Sequence, residues 1–174
     1  DDSGERTLTA VSPTVGLVYR ASRLLSVYAN YATAFETPTT TELGNQPNGN
    51  AGFNPDLDPQ RAVTFEVGTR GWLRTAWPGG LNFDLAVYTT TVKDELISFE
   101  DPLVAGRTFF RNAGSTGRVG LEASLSTEVG PALFALSYGY SQLEYNDYSV
   151  TTGGTTSVYD NNRIPGIPLQ QLQG

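Results

Sequence analysis

Apolar and polar residues alternate with period two along most of this chain, the pattern of strands with two unlike faces. In 61–73 the odd positions carry Val63, Phe65, Val67 and Leu73, and the even positions carry Thr64, Glu66, Gly68 and Arg70. The same odd set is oily in 24–35 (Leu25, Val27, Ala29, Tyr31), in 81–88 (Leu81, Phe83, Leu85, Val87) and in 119–126 (Val119, Leu121, Ala123, Leu125). A first strand over 11–20 follows suit with Val15, Leu17 and Tyr19. Parity switches in 132–145, where Phe134, Leu136, Tyr138 and Tyr140 are the oily set, and a seventh strand is expected from near Arg163 to Gly174. The prediction is all-β, an antiparallel meander of about 6–7 long strands.

Strand length narrows this further. Several segments have room for the roughly nine to eleven residues that a tilted strand needs to cross a bilayer, whereas soluble strands average about five or six. Connections also alternate. Short turns fall at 21–23, at 74–80 around Pro78-Gly79-Gly80 and at 129–131, and long connections fall at 36–60, about 101–107 and 146–162. Short inner turns and long outer loops characterise transmembrane β-barrels. Aromatics sit near strand ends, Tyr19, Trp72 and Trp77 by short turns and Phe35, Phe99, Phe109 and Phe110 by long loops, where interfacial girdles are expected. The reading is therefore a partial transmembrane β-barrel, with a passive porin or autotransporter barrel and a soluble β-sandwich binding module as alternatives.

Composition agrees. Charged residues are 17% of the chain and Lys93 is its sole lysine, so one face is not built for water. A mean hydropathy of -0.26 is compatible with a barrel whose lumen-facing positions are polar. No apolar run approaches the length of a membrane helix. With no cysteine and no histidine, thiol chemistry, thiolate metal sites and the commonest general base are lost, and no catalytic residue, metal site or cofactor is assigned. A net charge of -7 argues against nucleic acid. The acidic opening, Asp1 to Glu5, is no signal peptide.

Inward charges Arg20, Glu66, Arg70, Asp84 and Glu122 cannot face lipid, where a midplane arginine costs about 2–4 kcal/mol. Pairing with lumen contents or with each other is one reading, and plain contact with lumen water is the other. Glycines 16, 68, 120 and 139 share their face and would leave room behind the wall. The loop acids Glu42, Asp56, Asp58, Glu100 and Asp101 read as solvated, and the Thr- and Gly-rich 151–157 as a mobile tip.

Four stretches resemble TonB-dependent receptors, the outer-membrane transporters of ferric siderophores and related scarce nutrients. Phe35, Pro38, Glu42 and Leu43 have the spacing F-x-x-P-x-x-x-E-L after a strand end at Tyr31. Asn54, Pro55, Leu57 and Pro59, then Glu66 and Gly68, resemble N-P-x-L-x-P-E-x(5)-E-x-G, with Gln60 in place of the first glutamate. Arg111-Asn112-Ala113-Gly114 followed by Gly120-Leu121-Glu122, and Arg163 with Pro165 and Pro168, are similar to two further family motifs. The resemblance implies a barrel of about twenty-two strands filled by a plug domain. It also implies an external vestibule for substrate and an inner-membrane partner, TonB. Residues 1–174 are then a fragment of the C-terminal part of that barrel, with plug domain and terminal strands outside it. The expected function is TonB-dependent uptake of a scarce nutrient, a ferric siderophore, in the bacterial outer membrane. Phe35, Glu36, Arg107 and Arg111 are the candidates for substrate approach.

Overall fold

The computed structural model describes residues 5–44, 46–47, 52–76, 79–100, 104, 106–112, 114–152 and 155–174. Trp77, Pro78, Asp101, Ala113 and residues 153–154, all named above, lie outside the described residues.

In chain order the elements are β1 (Thr14–Arg20), β2 (Leu25–Glu36), α1 (Thr40–Leu43), β3 (Gln60–Leu73), β4 (Leu81–Lys93), β5 (Leu96–Glu100), β6 (Thr108–Asn112), β7 (Ser115–Val129), β8 (Ala132–Asp147), β9 (Ser149–Thr152), β10 (Thr155–Val158) and β11 (Gln170–Gln173). Seven of them form one antiparallel sheet in the order β1-β2-β3-β4-β7-β8-β11, an open meander. The strands from β2 to β8 in this wall run 12 to 16 residues, long enough to cross a bilayer at a tilt.

The register carries the sequence pattern across the sheet. Leu17, Ala29, Val67, Val87, Leu121 and Tyr140 are successive cross-strand partners, so the oily residues of six strands share one face. The parity switch in β8 has a local cause: Val129 pairs with Ala132 across a two-residue turn, Gly130-Pro131, with Gly130 at φ 60. Glycine with positive φ at the first central position is the signature of a type II′ hairpin. An even-length turn joins an odd to an even residue. Near the external end a bulge between Ser115 and Thr116 leaves Asn146 unpaired and shifts the register again.

The oily face is bare. Leu17, Phe65, Val67, Val87, Val119 and Phe134 are each more than half exposed, and no second sheet lies on them among the described residues. This contradicts the sandwich alternative, whose oily face must be clasped by a second sheet. The buried apolar set among the described residues is small, and most of it lies in the external loops or on the opposite face: Tyr28, Leu57, Ala86, Val92, Phe109 and Leu143.

Four expectations change. β1 starts at Thr14 instead of 11, because Pro13 has no N–H; its carbonyl still accepts from Thr33 N at 3.0 Å. The seventh strand shrinks to Gln170–Gln173, since Pro165, Gly166 (φ 81) and Pro168 interrupt the ladder and leave a lone bridge between Glu144 and Arg163. The two later external connections are not plain loops: β5–β6 and β9–β10 are hairpins off the wall, the second occupying the Thr-rich tip. Finally, Trp72 is no lipid-facing girdle residue. It sits on the even face opposite Asn82, packs on Gly80 and donates from Nε1 to Gly79 O at 3.3 Å, closing the β3–β4 turn.

Val87→Arg is expected to cost about 2–4 kcal/mol of folding stability in a bilayer. Arginine at Ser124, on the other face, should cost clearly less. Urea titration of the membrane-inserted barrel measures both.

Candidate functional site: the inward face and the external rim

The even face at mid-height is a polar lattice set by register. Tyr28 stands opposite Gly68, and a Cβ on Gly68 would lie 2.3 Å from the tyrosine ring; Tyr88 covers Gly120 in the same way. The expectation of open space at these glycines fails at both, and at Gly16 as well, where Asn30 Oδ1 stands 2.8 Å from such a Cβ. Neighbouring side chains use the room. Gly139 alone of the four is open, with nothing within 4 Å of its Cβ position.

Charges follow the same lattice. Arg70 Nε lies 3.5 Å from Asp84 Oδ2, and its guanidinium sits 4.7 Å from the centre of the Tyr28 ring. Both partners are solvated, so the pair contributes at most about 1 kcal/mol. Glu66 Oε1 accepts from Asn30 Nδ2 at 3.2 Å, and Tyr88 OH donates to Ser141 Oγ at 3.3 Å. The side chains of Arg20 and Glu122 have no hydrogen bond or ion pair among the described residues. Glu122 lies in register with Ala86 on one side and with open Gly139 on the other, within a concavity also lined by Ser124, Ser137 and Gln171. It is an exposed carboxylate beside a small notch.

At the external rim the loops are built on the motif residues. Thr39 and Glu42 form a capping box around α1: Thr39 N donates to Glu42 Oε2 at 2.6 Å and Glu42 N to Thr39 Oγ1 at 3.3 Å. Leu43 O accepts from Asn54 N at 2.7 Å, and Asn54 Oδ1 accepts from Asp56 N at 3.1 Å. Leu57 and the motif prolines Pro38 and Pro59 are buried. Arg6 donates to Pro55 O and Leu57 O and pairs with Asp58 at 2.9 Å. Glu42 and Asp58 are therefore structural acids, not merely solvated ones.

Asn112 joins two loops. Its Oδ1 accepts from Asp58 N at 2.8 Å, and its Nδ2 donates to Asp58 O at 2.8 Å and to Asp94 O at 2.6 Å. Beside it Glu95, which sequence reasoning missed, ties the base of the β5–β6 hairpin to β7, accepting from Arg118 Nη2 at 2.7 Å and from Thr116 Oγ1. Arg118 was missed too, although its parity with Glu122 is the signal that marks it as inward. Gln60 completes the rim: Nε2 donates to Glu36 Oε2 at 2.6 Å and Oε1 accepts from Leu96 N at 3.4 Å. The amide can donate to a carboxylate, which the usual glutamate at this position could do only when protonated.

The four substrate-approach candidates do not converge. Phe35 lies on the oily face opposite Arg61, whose guanidinium is 5.8 Å from its ring centre, while Glu36 points inward to Gln60. Side chains of adjacent strand residues point to opposite faces of the sheet. Arg111 is engaged as a clamp, donating to Tyr148 OH at 2.7 Å with its guanidinium 4.4 Å from the centre of the Phe99 ring. Arg107 stacks at 5.5 Å over Phe109, a fully buried residue in the hairpin. Among the described residues no cluster of His, Cys, Asp and Glu could hold a metal.

Residues 1–173 match the family described as TonB dependent receptor-like, beta-barrel. The chain belongs to this family. It is 30% identical over 164 residues to the probable TonB-dependent siderophore receptor PiuA of Acinetobacter baumannii, covering 89% of this chain and 20% of that protein. It is 27% identical over 140 residues to the ferric-pyoverdine 358 receptor of Pseudomonas putida, covering 79% of this chain and 15% of that one. The chain thus spans a fifth or less of the length of these curated relatives. TonB-dependent receptors are outer-membrane receptors and transporters, not enzymes.

Replacing Asn112 with Ala should unlatch the two loops. Hydrogen exchange at the Asp58 amide is expected to rise about fivefold or more, from a loss on the order of 1 kcal/mol.

Proposed function

We propose that this chain is the wall and external loops of an outer-membrane receptor that imports a ferric siderophore by TonB-dependent transport. The observation carrying this is a wall with one bare apolar and one polar, charged face, in a chain of this family similar to a siderophore receptor. A bilayer covers the oily face. The plug domain of the whole receptor fills the concave side, and Glu122, with open Gly139 beside it, takes a basic plug side chain. Substrate arrives past the rim at Glu36 and Arg107, while Phe35 and Arg111 hold their surroundings.

Transport supplies the test. Deleting the parent gene under iron limitation should abolish uptake of one ferric siderophore, and deleting TonB should do the same. Uptake that continues without TonB would mean a passive channel. Within the receptor, Glu122→Lys should loosen the plug, seen as greater proteolytic release of plug peptides than from wild type; equal release would remove Glu122 from that contact.

A further inference from the structure

The outer wall carries one feature that barrel folding does not explain. Arg61 and Lys93 are direct cross-strand partners at the external ends of β3 and β4. Both share the odd, oily face with Val63, Phe65 and Val87, and both are exposed. Like charges directly opposite each other destabilise a sheet. Neither cation has an ion pair among the described residues. The nearby acids are turned elsewhere. Glu36 accepts from Gln60 on the inner face, Asp58 pairs with Arg6, and Asp94 lies at the β4 exit with φ 57. Asp147 is two strands away along the same row, with its carboxylate against Gly114.

Height on the wall says what meets them. Twelve residues of each strand separate this pair from the Leu73–Leu81 pair at the inner turn. At a rise of ~3.3 Å per residue and a tilt of ~40°, that is a vertical distance of about 30 Å, slightly more than the apolar band of about 25 Å. The cations therefore stand just beyond the hydrocarbon, level with outer-leaflet headgroups. Arg61 is stacked with Phe35, an aromatic of the kind that favours this zone. A planar guanidinium and a compact ammonium side by side match phosphate oxygens, the first in bidentate fashion and the second as a point charge.

We infer that Arg61 and Lys93 form a site on the lipid-facing wall for the phosphate of an anionic outer-leaflet lipid. The site rests on the barrel and its orientation as proposed above. It neutralises the like-charge pair and fixes the depth of the wall beneath the external loops.

The test uses the full-length receptor, comparing retention of phosphatidic acid and phosphatidylcholine by native mass spectrometry. Wild type should prefer phosphatidic acid. Arg61→Gln and Lys93→Gln should each weaken that preference about fivefold, their combination more, with Arg61→Lys and Lys93→Arg largely restoring it. Inorganic phosphate at equal concentration should not displace the lipid. Equal retention by wild type and the double variant, no preference for the anionic phosphatidic acid, or full displacement by inorganic phosphate would each overturn the site. Failure of the barrel reading itself would show separately, as wild-type receptor that alkaline carbonate strips from membranes.

Discussion

Hydrocarbon offers no partner to a peptide N–H or C=O, so a segment that crosses it must satisfy every backbone group from protein. In a strand those partners are its neighbours, and the pairing fixes which side chains face which way. The rest of this structure follows from that. Leu17, Ala29, Val67, Val87, Leu121 and Tyr140 are brought to one surface by five successive registers, and the same registers force Glu66, Arg70, Asp84 and Glu122 to the other. No buried core of the usual kind is needed, because the bilayer does on one side what a second sheet does in a sandwich.

The inner face shows how a wall of strands stays tight without such a core. Tyr28 and Tyr88 each lie across the glycine opposite them, so ring and backbone touch where two ordinary side chains would collide. The external rim works differently. Asn112 and Gln60 tie together segments far apart in sequence through side-chain to backbone bonds, and Glu95 does so through the side chains of Thr116 and Arg118. The family motifs fall on these junctions: the capping box at Thr39 and Glu42, the Asn54 turn and the Asn112 latch are what they encode here. They scaffold the loops above the wall.

The wall was legible because period two is enforced wherever lipid and lumen lie on opposite sides of one strand. Even the parity switch in β8 was visible, and the Gly130-Pro131 turn explains it. The hairpins β5–β6 and β9–β10 were not, because ribbons off the wall have no lipid side and carry no strict alternation: Leu96, Ile97 and Phe99 break it. The seventh strand is shorter than its pattern predicts because Pro165 and Pro168 supply no N–H to the ladder. Of the candidate site, the register puts Arg20, Glu66, Arg70, Asp84 and Glu122 together on the face opposite the oily one, as parity predicts. Parity could also have separated Phe35 from Glu36, since neighbours on a strand face opposite ways. Which loop residues meet, such as Glu95 with Arg118, depends on chain separations that no local pattern encodes.

The chain contains no cysteine, so single labels can be introduced without background in this region. Nitroxides placed one at a time from Phe83 to Thr91 of the full receptor, in lipid bilayers, report collisions with oxygen and with a polar nickel complex. Oxygen access should peak at 83, 85, 87 and 89 and fall at the positions between, with every inner-face label shielded from lipid. Access that is uniform along the strand, or nickel access at Leu85 and Val87 equal to that at Asp84, would contradict a wall between hydrocarbon and lumen.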